Sequence, residues 1–391
     1  MKYFSVPADF KKATIDEYAR LNEAYPDAKV IDTYGNISVD NRMESGRVID
    51  QLPQVDILDL AEYIDYSRSR GIGFNYTLNA PSMQNREFTR EGLRDMRNFL
   101  AKLHKAGVRS LTISLPPLIE FVQSLPFDFK IRASTLCYIT NANKAAAFKK
   151  KGLEKIVVDE AINKDFFTLK KICRVFGPGV EVIVNPICQK NCNYRMFHYN
   201  QISKDSVADT SRVSTNYYEH RCVLQRFESP GHLLRISWIR PEDLHYYTAV
   251  GVNYFKLQGR HTFHKGGDIV RTVKVYMDQS FDGDLMELFT LFSPLNNFKV
   301  RLENKKLDGF IKPFFEKKDF CRDDCSQCGY CDSFARKCVD HESGREIISA
   351  ARQFYDEYDQ YTKLMKEVID EIPGQTPPQS PEESPDIDFD L

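Results

Sequence analysis

Residues 180–192 read VEVIVNPICQKNC. Val180–Asn185 is a short run of mostly β-branched side chains, closed by Pro186 and followed at once by Cys188 and Cys192. A brief apolar run ended by a breaker is the pattern of a strand buried on both faces. Such strands belong to parallel sheets covered by helices. In an α/β barrel the loops that leave the strands build the active-site face, so two thiols at this point are placed where chemistry is done.

Working outward, similar runs recur at Lys29–Thr33, Gly73–Asn79, Val108–Ser114, Phe129–Thr135, Lys155–Glu160, Leu233–Trp238 and Asn253–Leu257. Between most of them lie amphipathic stretches at helical spacing, among them Thr89–Ala106, Lys164–Phe176 and Asp268–Gln279. Several of these stop at a glycine, as at Gly107, Gly152 and Gly177, the residue that most easily ends a helix. Eight strands alternating with helices predict an α/β chain folded as a (β/α)8 TIM-type barrel. An open doubly wound sheet is the alternative, and the lack of G-x-G-x-x-G after the first of these runs counts against its dinucleotide-binding form. The expected organisation is a barrel over 1–290, a connector over 291–320 with short strands at Phe298–Leu302 and Gly309–Phe314, and a Cys-rich segment over 321–372. That segment ends in an amphipathic helix, Arg345–Ile372. An acidic tail over 373–391, rich in Pro, Ser, Asp and Glu, is expected to be disordered.

The chain has 391 residues, enough for one large core and an appended module. Its net charge of −1 argues against a strongly basic face that grips nucleic acid by charge alone. Its apolar stretches are too short to span a bilayer, and the Met1–Phe10 segment lacks the apolar core of a signal peptide. A soluble, cytoplasmic protein is expected. In that compartment ten cysteines are not a disulfide framework, and five of them fall between 321 and 338.

The thiols form two constellations. Cys188 and Cys192 leave one strand, and Cys222 follows in a long loop; together they read as ligands of a metal cluster, or as unrelated buried thiols. Cys321, Cys325, Cys328 and Cys331 stand among Asp, Ser, Gln and Gly rather than among core residues. Their tight spacing suits iron–sulfur binding, with zinc as the alternative for this segment. Cys321, Cys325 and Cys328 also match C-x3-C-x2-C of radical enzymes that use S-adenosylmethionine. That triplet belongs after the first barrel strand, and Gln327 stands where an aromatic residue is usual, so the reading is set aside. Cys137, at the end of a strand, is either a further ligand or core; Cys173, on an amphipathic helix, is read as core.

Strand-end polar residues form a third group. Arg240 follows Leu233–Trp238, and Lys256 and Arg260 close the last strand, where barrels often bind an anion. Alternatively Arg240 pairs with Glu242, and Glu242-Asp243 caps the helix begun by Pro241. Asn79, Glu160 and Asn185 are further candidate pocket liners. His198 lies near Cys192 in sequence. Neither H-E-x-x-H nor G-x-S-x-G occurs.

VNPICQKNCNYRMFH (184–198), WIRPEDL (238–244), YFKLQGR (254–260) and YMDQSFDGDL (276–285), together with the Tyr34-Gly35 turn, resemble the peptidase U32 family over most of 29–290. The Cys-rich segment resembles an extension of some relatives. The family was named for collagenase-type proteolysis, while several members resemble oxygen-independent hydroxylation factors. These carry a four-iron cluster on four cysteines, act in ubiquinone biosynthesis or on an RNA base, and in some cases take oxygen from prephenate. The resemblance implies a 4Fe-4S cluster on Cys188, Cys192 and Cys222, with Cys137 or a C-terminal cysteine as fourth ligand, and one cluster or two in all. The expected activity is an oxygen-independent modification of a small molecule, peptide or RNA base, served by an electron donor or another partner protein. A peptidase, and a non-catalytic iron–sulfur scaffold or electron carrier, are the alternatives.

Overall fold

A computed structural model describes residues 1–186, 188–207, 217–227, 229–260, 263, 267–290, 300–340, 346 and 349. Eight parallel strands close into a barrel in sequence order: β1 Lys2–Pro7, β2 Ala28–Gly35, β3 Gly73–Leu78, β4 Ser110–Ile113, β5 Lys130–Ala133, β6 Lys155–Val157, β7 Val180–Ile183 and β8 Tyr254–Lys256. Helices between the strands cover the outside, which is the (β/α)8 architecture. Helix starts follow sequence chemistry. Thr89 accepts from the backbone N–H of Gly92, and Asp56 forms a reciprocal capping box with Asp59. Gly152 and Gly177 take positive φ at helix ends, as their positions suggested.

Two of the expected strands change identity. Leu233–Trp238 is not a strand. Ser229 caps a helix over Pro230–Arg235 with proline at its first position, and an extended segment follows, tied to β7 by Ile239 N–H donating to Val184 O at 2.7 Å. The eighth strand is instead KYFSVP at the N-terminus, pairing with β2 on one side and closing on β8 on the other. Gly309–Phe314 is also not a strand: Pro313 opens a short helix, Lys312–Glu316. Phe298–Leu302 lies partly outside the described residues, and its last residue bridges Val339. The Arg345–Ile372 helix and the 373–391 tail fall outside them except for Glu346 and Ser349. No helix among the described residues is long and apolar enough to cross a membrane.

The barrel interior is partly ionic. Ser5 Oγ donates to Asp32 at 2.6 Å and to Glu181 at 3.0 Å, and Arg132 pairs with Asp32 at 2.7 Å. Burial works to raise the Asp32 carboxyl, but Arg132 and Lys155 outweigh it and hold it below the usual range. Lys256 is buried in the same layer with its ammonium 3.8 Å from the Tyr34 ring centre.

Candidate functional site

The C-terminal ends of the strands open under two covers. One is the loop after β2. Asn79, just past β3, accepts from Gly46 N–H at 3.1 Å, and a side chain at Gly46 would meet that amide at 2.9 Å. The other is a helix, Arg195–Lys204, that follows the two cysteines beyond β7. The covers are joined where Ser206 Oγ accepts from Ser45 N–H at 2.8 Å and Asp205 O from Ile49 N–H at 3.1 Å.

Under these covers lies Glu160. Arg195 donates to it at 2.7 Å and grips Asp159 with the same guanidinium at 2.9 and 3.1 Å, while Thr135 donates to Glu160 at 2.8 Å. All three ionic groups are buried. Burial in a low-dielectric setting is tolerable because each carboxylate is paired and hydrogen-bonded.

Cys188 and Cys192 are half-buried beside this network, and Cys222 reaches them, buried, from a helix over Tyr217–Phe227. Burial, the Glu160 charge and Cys222 push the Cys188 thiol up to about 12, against Arg195 and Arg226. Burial and Cys222 also raise Cys192. Cys222 is thus near enough to act on both Cys188 and Cys192. Arg226 Nη2 donates to Cys222 Sγ at 2.9 Å. His198, from the same cover, is pushed down to about 4 by burial, Arg47 and Arg226, so its imidazole is neutral.

Arg260 reaches across the mouth to donate to Thr77 at 2.7 Å and to Asn36. Burial and the neighbouring Arg47 lower it to about 10, which still leaves it charged at neutral pH. Arg47 donates to Gly46 O at 2.8 Å, and its buried Nε has no partner among the described residues. Arg47 is thus near enough to act on Arg260, whose guanidinium lies 5.9 Å from the Tyr34 ring centre, an arrangement suited to an anion.

The sequence-predicted residues separate accordingly. Glu160, Arg260 and the three cysteines come together at the mouth. Lys256 sits one layer below. Asn79 holds the β2 loop, and Asn185 stitches β7 to β8, exchanging bonds of 2.8–3.0 Å with Gln258. Arg240 does not join Lys256 and Arg260. It is buried against Asp308 at 2.6 Å, Glu242 at 3.6 Å and Asp243 at 3.8 Å, and its role is to tie down the Asn304–Leu307 turn region. Cys137 donates to Ser114 O at 3.2 Å and Ile113 O at 3.6 Å, and burial pushes it up to about 12. Sequence reading missed Arg47, Arg195 and Arg226. Arg195 was findable, three residues after Cys192; Arg47 carries no local signal.

Cys321, Cys325, Cys328 and Cys331 line a separate cavity of about 260 Å³ with Arg235, Phe314, Phe320 and Tyr330. Among the described residues, no three Cys, His, Asp or Glu side chains already converge on a single-ion site.

A model of peptidase family U32 matches residues 51–323. A protein of Methanocaldococcus jannaschii described as an uncharacterized protease is 26% identical over 337 residues, covering 86% of this chain and 98% of its own. A solved U32 peptidase structure is 14% identical, covering 66% of this chain and 93% of its own, with a TM-score of 0.49.

Proposed function

The chain belongs to peptidase family U32, and on that footing we propose that it is an iron–sulfur enzyme whose barrel mouth modifies an anionic substrate without oxygen, by hydroxylation-type chemistry. The observation that carries the proposal is the placement of Cys188, Cys192 and Cys222 at the barrel mouth together with two neighbouring guanidiniums, Arg47 and Arg260. The donor set fits a cluster: three soft thiols, half-buried or buried, drawn from two elements. Arg226 supplies a positive hydrogen bond to one of these sulfurs, the kind of outer contact that tunes a bound cluster. When bound, a 4Fe-4S group would supply one-electron chemistry.

The residues around it do the rest. Arg260, fixed by Asn36 and Thr77, and Arg47 bind a carboxylate or phosphate of the substrate. Arg195 and Thr135 hold Glu160 in one orientation under the covers of the mouth. The β2 loop and the Arg195–Lys204 helix exclude water. A thiol-rich site of this kind suits a reducing cytoplasm. Substrates in this class include a small molecule, a peptide and an RNA base, with a separate protein as electron donor.

The family name and the archaeal relative favour the second reading, a peptidase. The test is anaerobic purification followed by visible spectroscopy and assay of iron and sulfide. Broad thiolate-to-iron absorption, lost in Cys188→Ser/Cys192→Ser, supports the enzyme proposed. A colourless, iron-free protein that cleaves gelatin or casein overturns it.

A further inference from the structure

We propose that Cys321, Cys325, Cys328 and Cys331 hold an iron–sulfur cluster of their own, docked on the outer side of the loop that carries Cys188 and Cys192. The inference does not depend on the barrel-mouth reading.

The local fold sets the four cysteines along one cavity. Cys325–Cys328 is a single helical turn, Gly329 takes φ +59°, and a second helix starts at Tyr330 and runs to Cys338. A left-handed residue lets the chain reverse direction between Cys328 and Cys331. All four cysteines then face the same cavity of about 260 Å³. Four cysteines along one cavity leave room for a polynuclear core, which is wider than a single zinc ion.

The cavity lining carries both signs, Arg235 and Arg322 beside Asp323, Asp324 and Asp332. Lys190, between Cys188 and Cys192 in sequence, places its ammonium 3.9 Å from Cys321 Sγ and 2.6 Å from Asp323. Arg235 pairs with Asp332 at 2.6 Å, pinning the Tyr330–Cys338 helix to the Pro230–Arg235 helix, and its charge acts on Cys325 and Cys331. Lys164 is the informative member. Its ammonium donates to Leu234 O at 2.5 Å and Ile236 O at 2.8 Å, over the Trp238 and Phe310 rings. No carboxylate among the described residues lies in ion-pair range of it, yet Cys331 and Cys321 are the leading charges acting on it. A buried ammonium facing only carbonyls and rings lacks a counter-ion. A cluster bound by four thiolates carries net negative charge and supplies one.

The test uses the full chain, produced and handled anaerobically. Cys325→Ser/Cys328→Ser is expected to lose about four irons per chain and their sulfide, while Cys188→Ser/Cys192→Ser keeps them. If the barrel site is empty, the iron that remains still disappears in the first variant; if only the barrel holds iron, the first variant keeps it all. Unchanged iron in Cys325→Ser/Cys328→Ser, or loss of one zinc in its place, overturns the proposal. A second measurement avoids variants. Iodoacetamide should label Cys321, Cys325 and Cys328, which are exposed thiols, only after iron chelation. Immediate labelling of all three in the iron-containing protein also overturns it.

Discussion

Arg226 donates to the sulfur of Cys222 at 2.9 Å from one turn further along the same helix. A guanidinium so placed gives a candidate metal ligand a charged hydrogen bond, the kind of outer contact that orients a ligand and strengthens its hold on the metal. Arg226→Leu is therefore expected to retain less iron after gel filtration than the wild type, with Arg226→Lys intermediate. Equal iron in all three would show that the contact has no bearing on the metal.

The thiols themselves divide cleanly. Serine is a hard ligand and a poor substitute for sulfur at iron, so Cys188→Ser and Cys192→Ser should each lower iron content. Cys173→Ser should not. Cys173 packs on the helix Phe166–Phe176, where a side chain at Gly251 would meet its Cβ at 3.2 Å. Iron loss in Cys173→Ser equal to that in Cys188→Ser would remove the distinction.

Arg195 holds two carboxylates at once. Arg195→Met leaves Asp159 and Glu160 buried without their cation, a loss that typically costs about 3–5 kcal/mol. Urea unfolding monitored by circular dichroism measures it. A change under about 1 kcal/mol would mean that water reaches the pair.

Asp243 gives a pH signature. Burial raises its carboxyl from 3.8 to about 6, against Arg240. Below 3.8 both folded and unfolded chains hold the proton, and the group contributes nothing. As pH rises toward 6 the unfolded chain releases its proton first, so stability falls, by at most about 3 kcal/mol, and levels off above 6. Asp243→Asn should flatten that decline. Parallel stability curves for the two proteins between pH 4 and 8 would contradict the assignment.

Much of this fold was legible because parallel strands announce themselves as short β-branched runs. Seven of those runs overlap barrel strands. The errors have physical causes. KYFSVP carries a lysine and a serine, and its serine points into the ionic interior, so it lacks the pattern of a buried strand. Leu233–Trp238 has that pattern, but Ser229-Pro230 starts a helix ahead of it, and hydrophobicity alone does not separate a short buried helix from a strand. The cysteines were legible from spacing. The anion pair was half legible: Arg260 follows a strand, whereas Arg47 arrives from a loop that only folding brings over the mouth. Arg240 misled because it was assigned to the end of a strand that does not exist.

Arg240 and Arg260 therefore give opposite forecasts. Arg260 is fixed by Asn36 and Thr77 and neighbours Arg47, whose Nε has no partner among the described residues. Arg240 is already occupied by Asp308, Glu242 and Asp243. Prephenate, a dicarboxylate, is a suitable probe, followed by calorimetry under anaerobic conditions. A charged hydrogen bond is worth about 1.5–3 kcal/mol, so Arg260→Gln should weaken binding by roughly ten- to a hundred-fold. Arg47→Gln should act in the same direction, and added salt should weaken the wild type as well. Arg240→Gln should lower the melting temperature and leave affinity unchanged, because its charge is spent on the Asn304–Leu307 turn region. If Arg240→Gln and Arg260→Gln weakened binding equally, the anion would have to sit elsewhere than between Arg47 and Arg260.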